Sequence, residues 1–269
     1  VHDEATVFDI HAHPSLKLSL MGRLLTVDNR AAKYFDPFSV RTDFPKLKKG
    51  GVKILGSAIH APELGLLDDC RLLRYAKLAL PGARRAFSGA RFDVTLRMMD
   101  EIERAISNAR DHGRPLAQLA RSVSELDAIL NQGDDAPVAI VHTIEGAHSL
   151  DRNVNHLDEL AGRGVASITL AHFYDNGVAP PVFPFPEYVQ KLGCFNGSRD
   201  PTLGLTPLGV QVVERMLELG ILIDITHCTP AARKNVFDIV RTNAPLLASH
   251  VGSYEVNPNP YNLEDWEVR

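Results

Sequence analysis

The sequence is short of several things, and each shortage closes off a class of function. Cysteine occurs only three times, as Cys70, Cys194 and Cys228. That is too few for a disulfide scaffold and too scattered for a CxxC zinc site, so each reads as a small buried hydrophobe. No apolar run approaches the roughly 20 residues a membrane-spanning helix needs, and mean hydropathy is -0.08. No transmembrane segment is expected. A basic excess is missing as well, with 29 Lys and Arg against 33 Asp and Glu and a pI near 6.3. A nucleic-acid partner, normally held by a basic stripe, is therefore not expected. There is no GxGxxG or GxxxxGK phosphate loop, no internal repeat and no low-complexity stretch. The run Lys46-Leu47-Lys48-Lys49 reads as a solvated charge cluster ahead of a strand. No charged-then-apolar leader is visible from Val1 onward. The compartment stays open, as a soluble protein with the cytoplasm weighed slightly ahead of export.

Histidine is the residue type present in an unusual context. Of eleven histidines, several end short β-branched apolar runs: TVFDIHAH (6–13), VKILGSAIH (52–60), VASITLAH (165–172), ILIDITH (221–227) and PLLASH (245–250). A sixth run, VAIVHTIE (138–145), ends in Glu145. Such runs read as buried strands. The intervals carry helix signals. From Asp93 to His112, Val94, Met98, Ile102, Ile106 and Ala109 share one face. Thr206-Pro207 and Thr229-Pro230 are N-cap and first-turn pairs, the first helix stopping at Gly220. Shorter helices are expected over 121–131 and 155–162. Alternating strand and helix implies a parallel sheet, and the Pro-rich stretch from Pro180 to Pro201 reads as a long functional loop.

In parallel α/β folds, chemistry gathers at the carboxyl ends of strands. His11 and His13 are two apart, so both leave a strand on one face and can share an ion. Glu145, His227 and His250 end three more strands. Imidazoles and a carboxylate suit a zinc-like ion, and a carboxylate can bridge two. Two such ions about 3.5–4 Å apart would hold a water between them and present it as hydroxide at neutral pH.

These segments resemble the renal (membrane) dipeptidase family of binuclear zinc peptidases among the amidohydrolase-like barrels. DIHAHPS resembles its first-strand motif, IEGAHSL its bridging-glutamate motif and LAHFYDN its loop histidine. GLTPLGVQVVERMLELGILIDITH and LLASHVGS resemble its two later histidine motifs. The resemblance implies two zinc ions bridged by Glu145, one bound by His11 and His13 and the other by His227 and His250. His172 matches the histidine that polarises the scissile carbonyl or holds the tetrahedral intermediate. The implied substrate is a dipeptide or similar small molecule, with a homodimer left open. The implied fold is α/β, a TIM-type (β/α)8 barrel forming one domain over 1–269 and lacking its C-terminal strands.

Three departures accompany the resemblance. His13 stands where the family has aspartate, which removes a negative charge next to the metals. Tyr261 stands where the family has an arginine that grips the substrate carboxylate. The family's eighth-strand aspartate has no counterpart before Arg269, and Asp265 reads as a helix start. The expectation is that the natural chain continues for roughly 80–120 residues, about two more βα units. Two rival readings stand beside the dipeptidase: a non-peptidic amidohydrolase acting on a cyclic amide, lactone or N-acyl amino acid, and an inactive barrel used for binding. Among other residues, His60 is a candidate pocket liner, and Asp9 is expected to orient a ligand imidazole. Asp224 is expected to bond to nearby backbone, while His112, His142 and His156 are expected on the surface or in packing.

Overall fold

The structure is a computed structural model describing residues 5–29, 39–70, 75, 77, 81–133, 135–183 and 199–269. Most of the Pro-rich loop, and Cys194 with it, lies outside them. Seven parallel strands form one curled sheet, an α/β fold compatible with part of a TIM-type barrel. In chain order these are β1 (Val7–Ala12), β2 (Val52–Ile59), β3 (Ala117–Leu119), β4 (Val138–Glu145), β5 (Ser167–Thr169), β6 (Leu222–Asp224) and β7 (Leu246–Leu247). Their spatial order is β1-β2-β4-β5-β6-β7, with β3 beside the first half of β4. The six runs anticipated from sequence all contain strands, and β3 is an addition.

Periodicity and capping explain the helices. The helix Arg91–Asn108 buries Phe92, Val94, Met98, Met99, Ile102 and Ile106 in the main core. Its first amides are capped from a distance, Asp151 accepting from the N–H groups of Arg91 (3.1 Å) and Phe92 (2.8 Å). The helix Pro207–Leu219 starts on Thr206, whose hydroxyl accepts from Gly209 N–H at 2.9 Å, and stops at Gly220 in the left-handed region. Thr229 caps Pro230–Val240 in the same way. Helices Val123–Leu130 and His156–Gly162 match the shorter expectations.

Two readings are corrected. The run containing Lys46 to Lys49 is the helix Phe44–Lys49, capped by Asp43, and Lys46 is ion-paired to that same buried carboxylate. Cys228 is a buried free thiol as expected, but Cys70 is disulfide-bonded.

Register is what the site inherits from the sheet. Thr169 of β5 pairs with Glu145 of β4 on one side and with Asp224 of β6 on the other, and Asp224 pairs with Leu247 of β7. His172, His227 and His250 each follow the end of their strand by three residues, so they leave the sheet at one height.

Candidate metal centre

Glu145 is the last residue of β4, 3% exposed and ringed by imidazoles. Its Oε1 lies 3.1 Å from His11 Nε2, 3.5 Å from His250 Nε2 and 3.6 Å from His227 Nε2. Its Oε2 lies 3.3 Å from His13 Nε2, 3.4 Å from His172 Nε2 and 3.6 Å from His60 Nδ1. All six residues singled out for the site thus meet around one carboxylate, and His60 joins them. Burial alone would raise the Glu145 carboxyl, but His172, His11 and His227 outweigh it and hold it well below the usual range.

The donors fit divalent cations. His11 and His13 face each other Nε2 to Nε2 at 3.0 Å, as do His227 and His250. Two bare ring nitrogens repel at that distance unless a proton or a cation sits between them. Burial pushes His13 and His250 down to about 4, so both offer lone pairs at neutral pH. The Nδ1 atoms of His13 and His227 are buried without a hydrogen-bond partner. Ligand atoms of His11, Glu145 and His250 converge, as do those of Glu145, His172 and His227. Nitrogen and carboxylate donors of this kind suit zinc-like ions.

Local backbone shapes the ring of histidines. Gly146, directly after Glu145, has φ +93°, and a Cβ there would lie 2.3 Å from His148 Nδ1 and 3.3 Å from the His172 Cβ. His227 itself has φ +67°, a region that few side chains adopt. Its carbonyl accepts from Val182 N–H at 2.8 Å, tying this turn to the start of the Pro-rich loop.

Behind the imidazoles stand groups that set their orientation. Glu63, in the loop after β2, accepts from His172 Nδ1 at 2.7 Å and from the backbone N–H groups of Phe173 (3.3 Å) and Tyr174 (3.0 Å). Burial would raise its carboxyl, but the bond to His172 prevails and holds it at about 2. Asp224 does more than bond to nearby backbone. It accepts from the hydroxyls of Thr169 (3.1 Å), Thr226 (2.6 Å) and Ser249 (2.5 Å), lacing three strand ends together. Ser249 Oγ lies 2.8 Å from His250 Nδ1. Asp9 is corrected: its carboxylate accepts from the backbone N–H of His11 (3.1 Å), which offers no hold on the ring. The Tyr261 hydroxyl donates to the His250 carbonyl at 2.7 Å, and its ring packs edge-on to His227.

Three other histidines lie apart, while His148 packs edge-on against His60. His142 is buried with Nε2 at 3.3 Å from Glu103, His156 stacks on Phe92, and His112 is exposed.

A sequence profile described as membrane dipeptidase, peptidase family M19, matches residues 1–269. The chain belongs to that family. Among curated relatives, this M19 protein is 24% identical over 229 residues to "Dipeptidase 3" of Macaca fascicularis, covering 83% of this chain and 44% of that one. It is 28% identical over 172 residues to "Dipeptidase verJ" of Clonostachys rogersoniana, covering 64% and 39%. The chain thus spans less than half the length of either. Among solved structures, the probable dipeptidase PvdM from Pseudomonas aeruginosa superposes with a TM-score of 0.67 at 23% identity, covering 99% of this chain and 57% of that one. A metallo peptidase from Rhodobacter sphaeroides, liganded with a phosphinate mimic of L-Ala-D-Ala, gives 0.67 at 21% identity, covering 98% and 70%. These two likenesses concern the fold.

Sequence reasoning missed Glu63 and Ser249 in this M19 chain and gave His60 only a pocket-lining part. A buried acid three residues after a strand-ending histidine, in IHAPE, was the available signal for Glu63.

Proposed function

We propose that the chain hydrolyses the amide bond of a dipeptide or similarly small substrate at a two-ion zinc centre bridged by Glu145. The observation that carries this reading is the convergence of six imidazoles on that one buried carboxylate. In this reading His11 and His13 would hold one ion and His227 and His250 the other, and the bound ions would supply a water acidic enough to attack a carbonyl at neutral pH. His172, on the Oε2 side of Glu145, meets the carbonyl oxygen and stabilises the charge that develops there. The neighbour liganded with a dipeptide mimic supports the substrate class. A non-peptidic amide or lactone is the second reading, favoured by Tyr261, whose hydroxyl is committed to the His250 carbonyl.

Among the described residues no helix is long and apolar enough to cross a membrane. The disulfide at Cys70 favours an oxidising compartment over the cytoplasm weighed from composition.

The test pairs metal analysis with a substrate panel of L-Ala-D-Ala, L-Ala-L-Ala, N-acyl amino acids and lactones. About two equivalents of zinc per chain and preferential dipeptide turnover are expected for a site of this kind. Glu145→Gln should lose turnover and most of both ions, because a neutral amide cannot balance two cations. Full metal content in that variant would remove Glu145 from the bridge. His13→Asp should keep the first ion, and His13→Ala should lose it.

A further inference from the structure

Glu63 is a buried carboxylate at the centre that the reading above leaves without a task. It is 3% exposed and comes from the loop after β2, whereas His172 follows β5, 109 residues later. We propose that Glu63 is a positioning residue of the hydrolysis: by accepting a hydrogen bond from His172 Nδ1–H it points Nε2 at the reacting carbonyl and stabilises the imidazolium, whose Nε2–H can donate to the oxygen as charge develops there. This rests on the role given to His172 under the proposed function.

Geometry separates this from two simpler accounts. As a metal ligand, Glu63 could join His60 and His172, whose donor atoms cluster with it. Yet its two oxygens already accept three N–H groups, and Oε1 is held by Tyr174 N–H at 3.0 Å. As a loop tie alone, Glu63 would need only the amides of Phe173 and Tyr174. The bond to His172 is nonetheless the shortest of the three, at 2.7 Å, as expected of a charge-assisted contact. Apart from Glu145 beside Nε2, the ring's neighbours are rings: Phe173 at 3.8 Å, His60 at 4.3 Å and His227 at 4.6 Å between centroids. Stacking contacts fix neither the turn of the ring nor its charge. A carboxylate bonded to Nδ1–H favours both this orientation and the imidazolium. It also aims Nε2 at the Oε2 side of Glu145, 3.4 Å away.

The experiment is a double-mutant cycle in the zinc-loaded protein, assayed on the best substrate of the panel. Glu63→Ala should lower kcat about 10²-fold, the scale of a misplaced catalytic group, and should leave KM and bound zinc near wild type. Glu63→Gln, which keeps one oxygen acceptor but turns an NH2 toward a backbone or ring N–H, should fall between. In a His172→Ala background the same Glu63 substitutions should cost almost nothing further. A full repeat of the cost there, or loss of zinc from Glu63→Ala, would overturn the proposal in favour of the loop tie or the ligand. If Glu63→Ala does not fold, Glu63→Gln carries the cycle. Proton NMR supplies a readout independent of turnover. A downfield Nδ1–H resonance should be present in the wild type and absent from both Glu63→Ala and His172→Ala. Its survival in Glu63→Ala would overturn the proposal. A wild type with this resonance but no dipeptide turnover would defeat the substrate assignment and leave the Glu63–His172 pair standing.

Discussion

His250 enters the site with its tautomer already chosen. Ser249 donates its hydroxyl proton to Asp224 at 2.5 Å, so its oxygen is left to accept from His250 Nδ1 at 2.8 Å, and Nε2 stays bare toward Glu145. Removing that hydroxyl should weaken cation binding, since groups that orient ligands typically matter by about 10–100-fold. Ser249→Ala is expected to show this in a chelator competition, with Ser249→Thr close to wild type. Equal affinity in the alanine variant would reduce Ser249 to a strand tie. His148 makes a pH prediction. Its Nε2 donates to the Ala61 carbonyl at 2.7 Å, its Nδ1 is buried without a partner, and burial lowers it from 6.5 to about 4. The folded state therefore binds this proton less readily than the unfolded one, and stability falls as pH drops from 6.5 through 4. The loss is on the order of 3 kcal/mol. Urea unfolding midpoints should decline over that window, and His148→Gln should flatten the decline. The metal-site candidates were legible because HxH, IEG, ITH and ASH each end an apolar run. Glu63 had only its place three residues after a strand-ending histidine to mark it, and Ser249 less, because their partners are settled by which loops meet across the sheet.

Elements declared themselves in proportion to their length and their caps. β4 was read to the residue because its eight positions are almost uniformly buried between layers. β3 is three residues with a glutamine at its centre, too short for either a run or an alternation. The helix Phe44–Lys49 had a legible cap in Asp43 and a proline in its first turn, yet its lysines dominated the reading. The helix Pro230–Val240 carries a feature no sequence pattern announces. Its Arg233, 1% exposed, grips Glu267 through Nε (2.5 Å) and Nη2 (2.9 Å) and donates to the carbonyls of Cys228, Pro260 and Asn262. That clamp holds the segment bearing Tyr261 against the histidines. Glu267→Ala strands a buried guanidinium and should cost about 3–5 kcal/mol, read as a lower denaturation midpoint. A change below about 1 kcal/mol, the range of exposed pairs, would mean water reaches Arg233.

At the scale of the whole molecule, the parallel sheet and its α/β order followed from six runs and the helices between them, whereas curvature and register did not. Register is where function and folding become one problem. Three histidines stand three residues beyond strand ends that are paired level with one another. A slip of one residue in any of those strands would send a ring to the opposite face. The cluster therefore acts as a checksum on the folded chain, complete only when every strand has found its partner in frame. During refolding with zinc, cation uptake should lag the recovery of far-ultraviolet circular dichroism, because backbone structure can form in a slipped sheet and the full set of ligands cannot. Uptake that kept pace with the backbone signal would mean that the ions gather the strands first. The metal would then be a template for the register and not its inspector.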